Sequence, residues 1–147
     1  MTCPPVIEPV ISDAVRELPT FESESIDVPE VVKSWQSSVD PASMMILVSA
    51  EYVKSIPCAM KNAVDWLAGG VHLMDKPLAF PNLSFRADAA YSQMTEILQI
   101  PSCKIMTDCS PKATLENPLF NSNVSEYENI TIPEFFNFFQ HLWENIV

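Results

Sequence analysis

Basic residues are scarce in this chain of 147 residues. Eight Lys and Arg stand against nineteen Asp and Glu, which gives a formal net charge of −11. A protein that binds nucleic acid neutralises phosphates with clustered Lys and Arg, whereas the eight basic residues here are scattered. The charge therefore predicts no nucleic-acid partner, and it gives no general attraction for small molecules that carry phosphate.

Long apolar runs and a basic leader are also lacking. No stretch has the uninterrupted apolar length that a membrane-spanning helix needs. The amino terminus lacks the basic-then-apolar layout of a secretory signal. We therefore expect no membrane association and a cytoplasmic location.

Glycines and metal-ligand patterns are few. The two glycines, Gly69 and Gly70, follow a predicted helix and are expected to end it, as a glycine just past the last turn does. The four cysteines form no Cys-x-x-Cys pair and the two histidines stand apart, so no structural zinc site is predicted. Cys58, at the start of the same helix, is either a small core residue or a redox-sensitive thiol.

The apolar content is sufficient for one compact domain, since 48% of the residues are hydrophobic. Residues 1–16 are rich in proline and have little periodicity, which predicts an extended arm ahead of a domain that covers residues 17–147. Within that domain, apolar spacing predicts helices and strands in alternation. The predicted helices cover residues 29–39, 57–67, 87–100 and a carboxyl-terminal segment that begins with the capping box Thr131-Ile-Pro-Glu134; the predicted strands cover residues 44–49, 76–80 and 103–106.

The most specific pattern follows the apolar run of residues 44–48. It reads Glu51-Tyr-Val-Lys-Ser-Ile-Pro57 and continues into a helix that contains Lys61-Asn-Ala-Val-Asp-Trp-Leu67. This segment resembles the NADPH-dependent FMN reductase family, whose pattern is Thr-Pro-Glu-Tyr-Asn-Gly-Ser-Ile-Pro-Gly followed by a helix with Lys-Asn-Ala-(Ile/Leu/Val)-Asp-Trp-Leu. A weaker resemblance extends from Glu17 to about Leu115.

The resemblance implies an α/β, flavodoxin-like open parallel sheet with flanking helices, in which ligands bind at the carboxyl ends of the strands. It implies FMN as cofactor and NADPH as co-substrate, with hydride and electrons passing through bound flavin to free flavin, a quinone or a similar acceptor. The implied cofactor-binding residues, carried over from the loop after each of two strands, are Glu51, Tyr52, Val53, Lys54, Ser55, Asn82 and Ser84. Arg86 is a further candidate, for a nicotinamide phosphate.

Several of these positions have a structural interpretation as well. Tyr52 either stacks on a flavin face or places its ring in the core. Glu51 either binds a flavin edge or accepts a backbone amide at the helix start. Lys54 either brings positive charge to a reduced flavin or a phosphate, or is a solvated surface lysine. Val53 and Lys54 replace the family's Asn-Gly, so we expect the loop to have an altered shape, because Asn and Gly tolerate left-handed backbone angles and valine does not.

The family's first strand and its phosphate-binding loop have no counterpart in this sequence. The implied fold is therefore amino-terminally truncated, and the strand at residues 44–49 is expected to expose an apolar edge. An alternative function follows: a degenerate, flavin-free family member that acts as a dimerisation or interaction module. The helix over residues 57–67 is apolar on two faces, so one is expected to cover the sheet while the other is available to a partner, which predicts a homo-oligomer.

Overall fold

A computed structural model describes residues 10–23, 27–82, 87–107 and 110. A 3-10 turn at Ala14–Arg16 precedes three helices and three strands that alternate along the chain. They are α1 (Glu30–Val39), β1 (Met45–Ile46), α2 (Cys58–Ala68), β2 (Pro77–Ala79), α3 (Asp88–Gln99) and β3 (Lys104–Ile105). Each predicted helix and strand within the described residues is present, and all three strands are shorter than predicted.

The three strands form a parallel sheet in the order β1-β2-β3. Met45 pairs with Leu78, and Leu78 pairs with Ile105 on its other side. Hydrogen bonds continue beyond the strand ends, from Leu47 N–H to the Ala79 carbonyl at 2.9 Å and from Met106 N–H to the Leu78 carbonyl at 2.8 Å. The predicted open parallel sheet with flanking helices is confirmed, and the carboxyl ends of its strands lie along one edge.

Proline defines the starts of α1 and α2. Pro29 and Pro57 precede the first helical residues with φ of −57° and −58°, close to the value that the proline ring imposes. Their carbonyls accept the first helical hydrogen bonds, from Val32 at 3.0 Å and from Lys61 at 3.1 Å. Proline has no N–H to satisfy at a helix start, so both boundaries follow from the sequence.

Side chains of β1 and of the two residues that follow it alternate between a buried and an exposed face. Met45 and Leu47 are buried in the core with residues of α1 and α2, whereas Ile46 is 44% exposed and Val48 is 58% exposed. Successive residues of a strand point to opposite faces, which explains the alternation. This alternation places Ile46 and Val48 on the face opposite the core, and it does not concern the edge of the sheet, whose exposure stays a prediction.

The glycines end α2 in a way that differs from the prediction. Gly69 has right-handed helical angles (φ −63°, ψ −12°), and neither glycine has a positive φ. A Cβ on Gly69 would lie 2.9 Å from the ring of Phe21, and one on Gly70 would lie 2.9 Å from the ring of His72. Neither glycine is therefore required by a left-handed backbone, and a Cβ at either position would need the adjacent ring to shift.

The second apolar face of α2 is covered by the protein's own chain. The Trp66 ring meets Phe21 edge-on with centroids 5.0 Å apart, and the indole N–H donates to the Pro19 carbonyl at 2.8 Å. Ala63 and Trp66 are both buried. The prediction that this face is available to a partner is therefore wrong, because the segment around residues 18–21 packs on it.

Some predictions fall on residues that the structure does not describe. These include most of the proline-rich arm, Ser84 and Arg86 of the second loop, and the capping box and helix of the carboxyl-terminal segment. Within the described ranges, no helix combines the length and apolar character that a membrane span requires.

Candidate functional site

The segment after β1 forms a tight two-residue turn. Tyr52 and Ser55 exchange backbone hydrogen bonds of 2.9 and 3.0 Å, as an isolated antiparallel bridge does. The two residues between them, Val53 and Lys54, have φ of 51° and 62°. Two consecutive left-handed residues within such a bridge are the signature of a type I′ turn.

Val53 is left-handed, although a β-branched residue was not expected to tolerate such angles. Asn-Gly is the pair that type I′ turns favour, and it is the pair the family has at positions 53 and 54. Here valine and lysine adopt the same left-handed angles. A left-handed conformation costs an L-residue roughly 1–2 kcal/mol, and such strain persists where the surrounding structure over-determines it. Side-chain hydrogen bonds connect this turn to α3.

Glu51 joins the turn to the amino terminus of α3. One carboxylate oxygen accepts the Ala90 backbone N–H at 3.0 Å, and the other lies 3.7 Å from Lys54 Nζ. The Glu51 side chain is only 10% exposed. The structural interpretation of Glu51 is therefore observed, at the start of α3 rather than of α2, and negative charge there also suits the helix dipole.

Gln93, which sequence reasoning missed, holds the same turn from one helical turn further along α3. Its carbonyl oxygen accepts the Ser55 hydroxyl at 2.9 Å and the Ile56 N–H at 3.4 Å. Its amide nitrogen donates to the Lys54 carbonyl at 3.3 Å. No local signal in the sequence links residue 93 to residues 54–56, because the contact spans about forty residues.

The outer surface of the turn is open. Tyr52 is 65% exposed and Val53 is 98% exposed, so the interpretation that places the Tyr52 ring in the core is excluded. The Lys54 side chain is 82% exposed, as a surface lysine is. Within the described part of the chain, the backbone N–H groups of Val53 and Lys54 have no hydrogen-bond acceptor. The turn thus presents an aromatic ring, a valine and one cation to solvent, and two of its amide donors have no acceptor in the described protein.

Asn82 and Ser110 are described residues that lie next to the carboxyl end of β2. Asn82 is buried, and its side-chain amide donates to the Ala87 carbonyl at 3.3 Å, just before α3. Ser110, also missed, accepts the Phe80 N–H at 2.9 Å and donates to the Met106 carbonyl at 2.7 Å. Asn82 is therefore tied to the residue that precedes α3, and Ser110 links the carboxyl ends of β2 and β3.

Other chemistry is sparse in the described ranges. No group of His, Cys, Asp or Glu there could hold a metal ion. Cys58 is exposed, so its interpretation as a core residue is wrong, and Cys103 is half-buried. A cavity of about 140 Å³ is lined by Pro19, Thr20, Glu22, Pro29 and Trp66. It belongs to the segment that covers α2 and not to the turn, and it is smaller than the roughly 300–1,000 Å³ of typical small-molecule sites.

Comparison with known proteins agrees with this arrangement. In structure the chain is similar to FerB, a flavoenzyme NAD(P)H:(acceptor) oxidoreductase from Paracoccus denitrificans, with a TM-score of 0.69, 20% identity, and coverage of 90% of this chain and 74% of that one. This likeness confirms the flavodoxin-like fold. In sequence, the present chain is similar to the NADH:(hydroxy)cinnamate reductase subunit CrdA of Vibrio ruber, with 30% identity over 92 residues.

The CrdA alignment covers 59% of this chain and 46% of the relative, so the chain spans less than half of that protein's length. The family described as NADPH-dependent FMN reductase matches residues 7–110. That match includes the turn, α2 and α3, and it covers well over half of the sequence. The chain belongs to the NADPH-dependent FMN reductase family.

Proposed function

We propose that the chain forms the ring-binding part of an NAD(P)H-dependent flavin oxidoreductase, with the turn at residues 52–55 in contact with the isoalloxazine ring of FMN. One observation carries this proposal. At the carboxyl edge of a parallel sheet, where open α/β folds bind ligands, the chain keeps a type I′ turn although its sequence does not favour one. Strain of that kind concentrates at functional sites.

The donor set of the turn suits a flavin ring. The Val53 and Lys54 N–H groups can donate to the carbonyl and ring-nitrogen edge of an isoalloxazine, which is rich in acceptors. The exposed Tyr52 ring offers a stacking surface. The Lys54 ammonium, held within 3.7 Å of Glu51, is positioned to offset the negative charge of reduced flavin. Glu51 contributes indirectly, since its carboxylate is already used at α3.

The chemistry in this proposal belongs to the cofactor. When bound, FMN accepts a hydride from NAD(P)H and passes electrons to free flavin, a quinone or a similar acceptor. The protein has to hold the ring and adjust the charge beside it, and this requires no acid, base or metal. We place the activity in the cytoplasm.

The proposal includes self-association through the helix at residues 57–67, restricted to the amino-terminal turn of that helix. The Ala63 and Trp66 face is occupied, whereas Cys58 and Ala59 at the amino-terminal turn of α2 are exposed next to the strained turn. A second copy would therefore meet the chain at this end of α2.

Titration with FMN, followed by quenching of flavin fluorescence, tests the proposal. Tyr52→Ala is expected to weaken binding, because it removes the stacking surface, while Val71→Ala is the control because Val71 is also an exposed apolar residue, at 70%. Saturable quenching that depends on Tyr52 but not on Val71 supports the flavin site.

The flavin-free alternative predicts the opposite outcome. A folded protein that leaves FMN fluorescence unchanged at high micromolar concentration would overturn the oxidoreductase proposal for this chain. Sedimentation of the same sample would then measure whether it acts by association.

A further inference from the structure

We propose that Gln93 is a positioning residue, which fixes the left-handed conformation of Val53 and Lys54 and thereby the ring-binding surface of the turn. The inference rests on the proposed flavin function. It adds to that function a residue of α3 that lies outside the family's hallmark segment and that does not face the ligand.

The contacts of Gln93 are suited to this role. One carboxamide contacts three successive residues: it accepts from the Ser55 hydroxyl at 2.9 Å and the Ile56 N–H at 3.4 Å, and donates to the Lys54 carbonyl at 3.3 Å. These partners also fix the orientation of the amide, because the reversed amide would set two carbonyl oxygens against each other and leave two donors facing an NH₂ group.

The turn has little conformational preference of its own. A β-branched valine with a positive φ is an outlier, and lysine has no local hydrogen bond that would favour left-handed angles. The reciprocal bonds between Tyr52 and Ser55 close the turn, but a two-residue loop of Val-Lys would relax toward other turn types if its far side were free. Gln93 bonds to the Lys54 carbonyl, the Ser55 hydroxyl and the Ile56 N–H. A change of turn type would have to move the backbone at these residues.

Glu51 acts at the other end of the turn. Its bond to Ala90 N–H and the Gln93 contacts both originate from α3, one helical turn apart. Helix α3 thus contacts both sides of the turn, and these contacts, rather than the turn sequence, set the backbone angles of Val53 and Lys54.

The test compares Gln93→Met with Gln99→Met. Methionine keeps the length of glutamine without its hydrogen bonds, and Gln99 is an exposed residue at the end of the same helix. In the flavin-free protein, the intraresidue nuclear Overhauser effect between H–N and Hα of Val53 and Lys54 is strong only when φ is positive. We expect Gln93→Met to weaken it and to raise the Kd for FMN about tenfold, as loss of one or two hydrogen bonds does. Gln99→Met should change neither.

A rescue separates positioning from general stability. Val53→Asn with Lys54→Gly gives the turn its own type I′ preference, so Gln93→Met should no longer affect the two Overhauser effects or the Kd in that background. A protein destabilised elsewhere in α3 would not be rescued in this way. If Gln93→Met does not fold, Ser55→Ala removes a partner of the same amide and serves the same comparison.

Two outcomes distinguish this inference from the proposed function. If Gln93→Met keeps both strong Overhauser effects and binds FMN as the unchanged protein does, the positioning role is overturned. If the unchanged protein binds no FMN, the proposed function fails, and the Overhauser effects by themselves then decide whether Gln93 holds the turn.

Discussion

The side chain of Asn62 pairs with the backbone around Phe21 as a neighbouring strand would. Its oxygen accepts the Phe21 N–H at 2.8 Å, and its nitrogen donates to the Pro19 carbonyl at 2.9 Å. The two bonds attach the segment before α1 to the middle of α2. This pairing gives the hallmark asparagine a structural reason that is independent of any ligand.

Replacement of Asn62 by alanine should therefore destabilise the protein. Two hydrogen bonds are lost and the Phe21 and Pro19 backbone groups lose their partner, so we expect the free energy of unfolding to fall by roughly 2 kcal/mol. Gln36→Ala, which removes the single bond to the Trp66 carbonyl at 2.9 Å, should cost about half as much. Urea unfolding followed by far-UV circular dichroism measures both, and equal losses would contradict the assignment.

The left-handed angle of Lys54 predicts a gain in stability on substitution by glycine. Lys54→Gly should raise the free energy of unfolding by about 1 kcal/mol, because glycine takes a positive φ without the steric penalty. The same change at Lys33, within α1, should lower it by about 1 kcal/mol, because glycine disfavours a helix interior. Opposite signs in urea unfolding support the turn geometry, and a loss at both positions would exclude it.

Lys76 caps the carboxyl end of α1. Its ammonium donates to the carbonyls of Val39, Asp40 and Ala42 at 3.0, 2.9 and 2.8 Å. Lys76→Met should lower the free energy of unfolding by about 2 kcal/mol, because three acceptors and the negative end of the helix dipole lose their cation. Lys33→Met, on the exposed side of α1, should change it by less than about 0.5 kcal/mol. Similar values for the two variants in thermal or urea unfolding would contradict the capping role.

The two described cysteines should differ in reactivity. Burial raises the pKa of the Cys103 thiol, and this is opposed by a smaller effect of a backbone hydrogen bond. The thiol also donates to the Leu98 carbonyl at 2.8 Å. Cys58 is exposed at the start of α2. In proteins that retain one of these two cysteines each, Cys103 should react with a thiol reagent several-fold more slowly than Cys58 at pH 8.

The raised pKa of Cys103 also has a consequence for stability. The folded protein retains this proton to higher pH than the unfolded chain, so the free energy of unfolding is unaffected at neutral pH and falls as the pH rises above the ordinary thiol value. Cys103→Ser should remove that part of the decline.

The difference in reactivity between Cys58 and Cys103 has its own control. In urea both cysteines should react at the same rate, and a difference that persists in urea would show that the folded structure does not cause it.

Much of the architecture follows from the sequence. Proline before each of two apolar periodic segments marks the starts of α1 and α2, and short apolar runs mark the three strands, because both signals act between residues close in the chain. The same local signals predicted strands that are longer than those observed. A strand extends only as far as its backbone pairs with a neighbouring strand, and apolar character does not show where that pairing ends. The hallmark segment also located the turn at residues 52–55.

Only the tertiary structure decided the conformation of that turn and what supports it. Val53 and Lys54 have no local preference for left-handed angles. These angles are held by two contacts with α3, about forty residues away: Glu51 accepts the Ala90 N–H, and Gln93 of α3 accepts the Ile56 N–H. The coverage of Trp66 by residues 18–21 depends likewise on contacts across more than forty residues. Local propensity could not reveal either, because each is the result of packing between segments that the sequence keeps far apart.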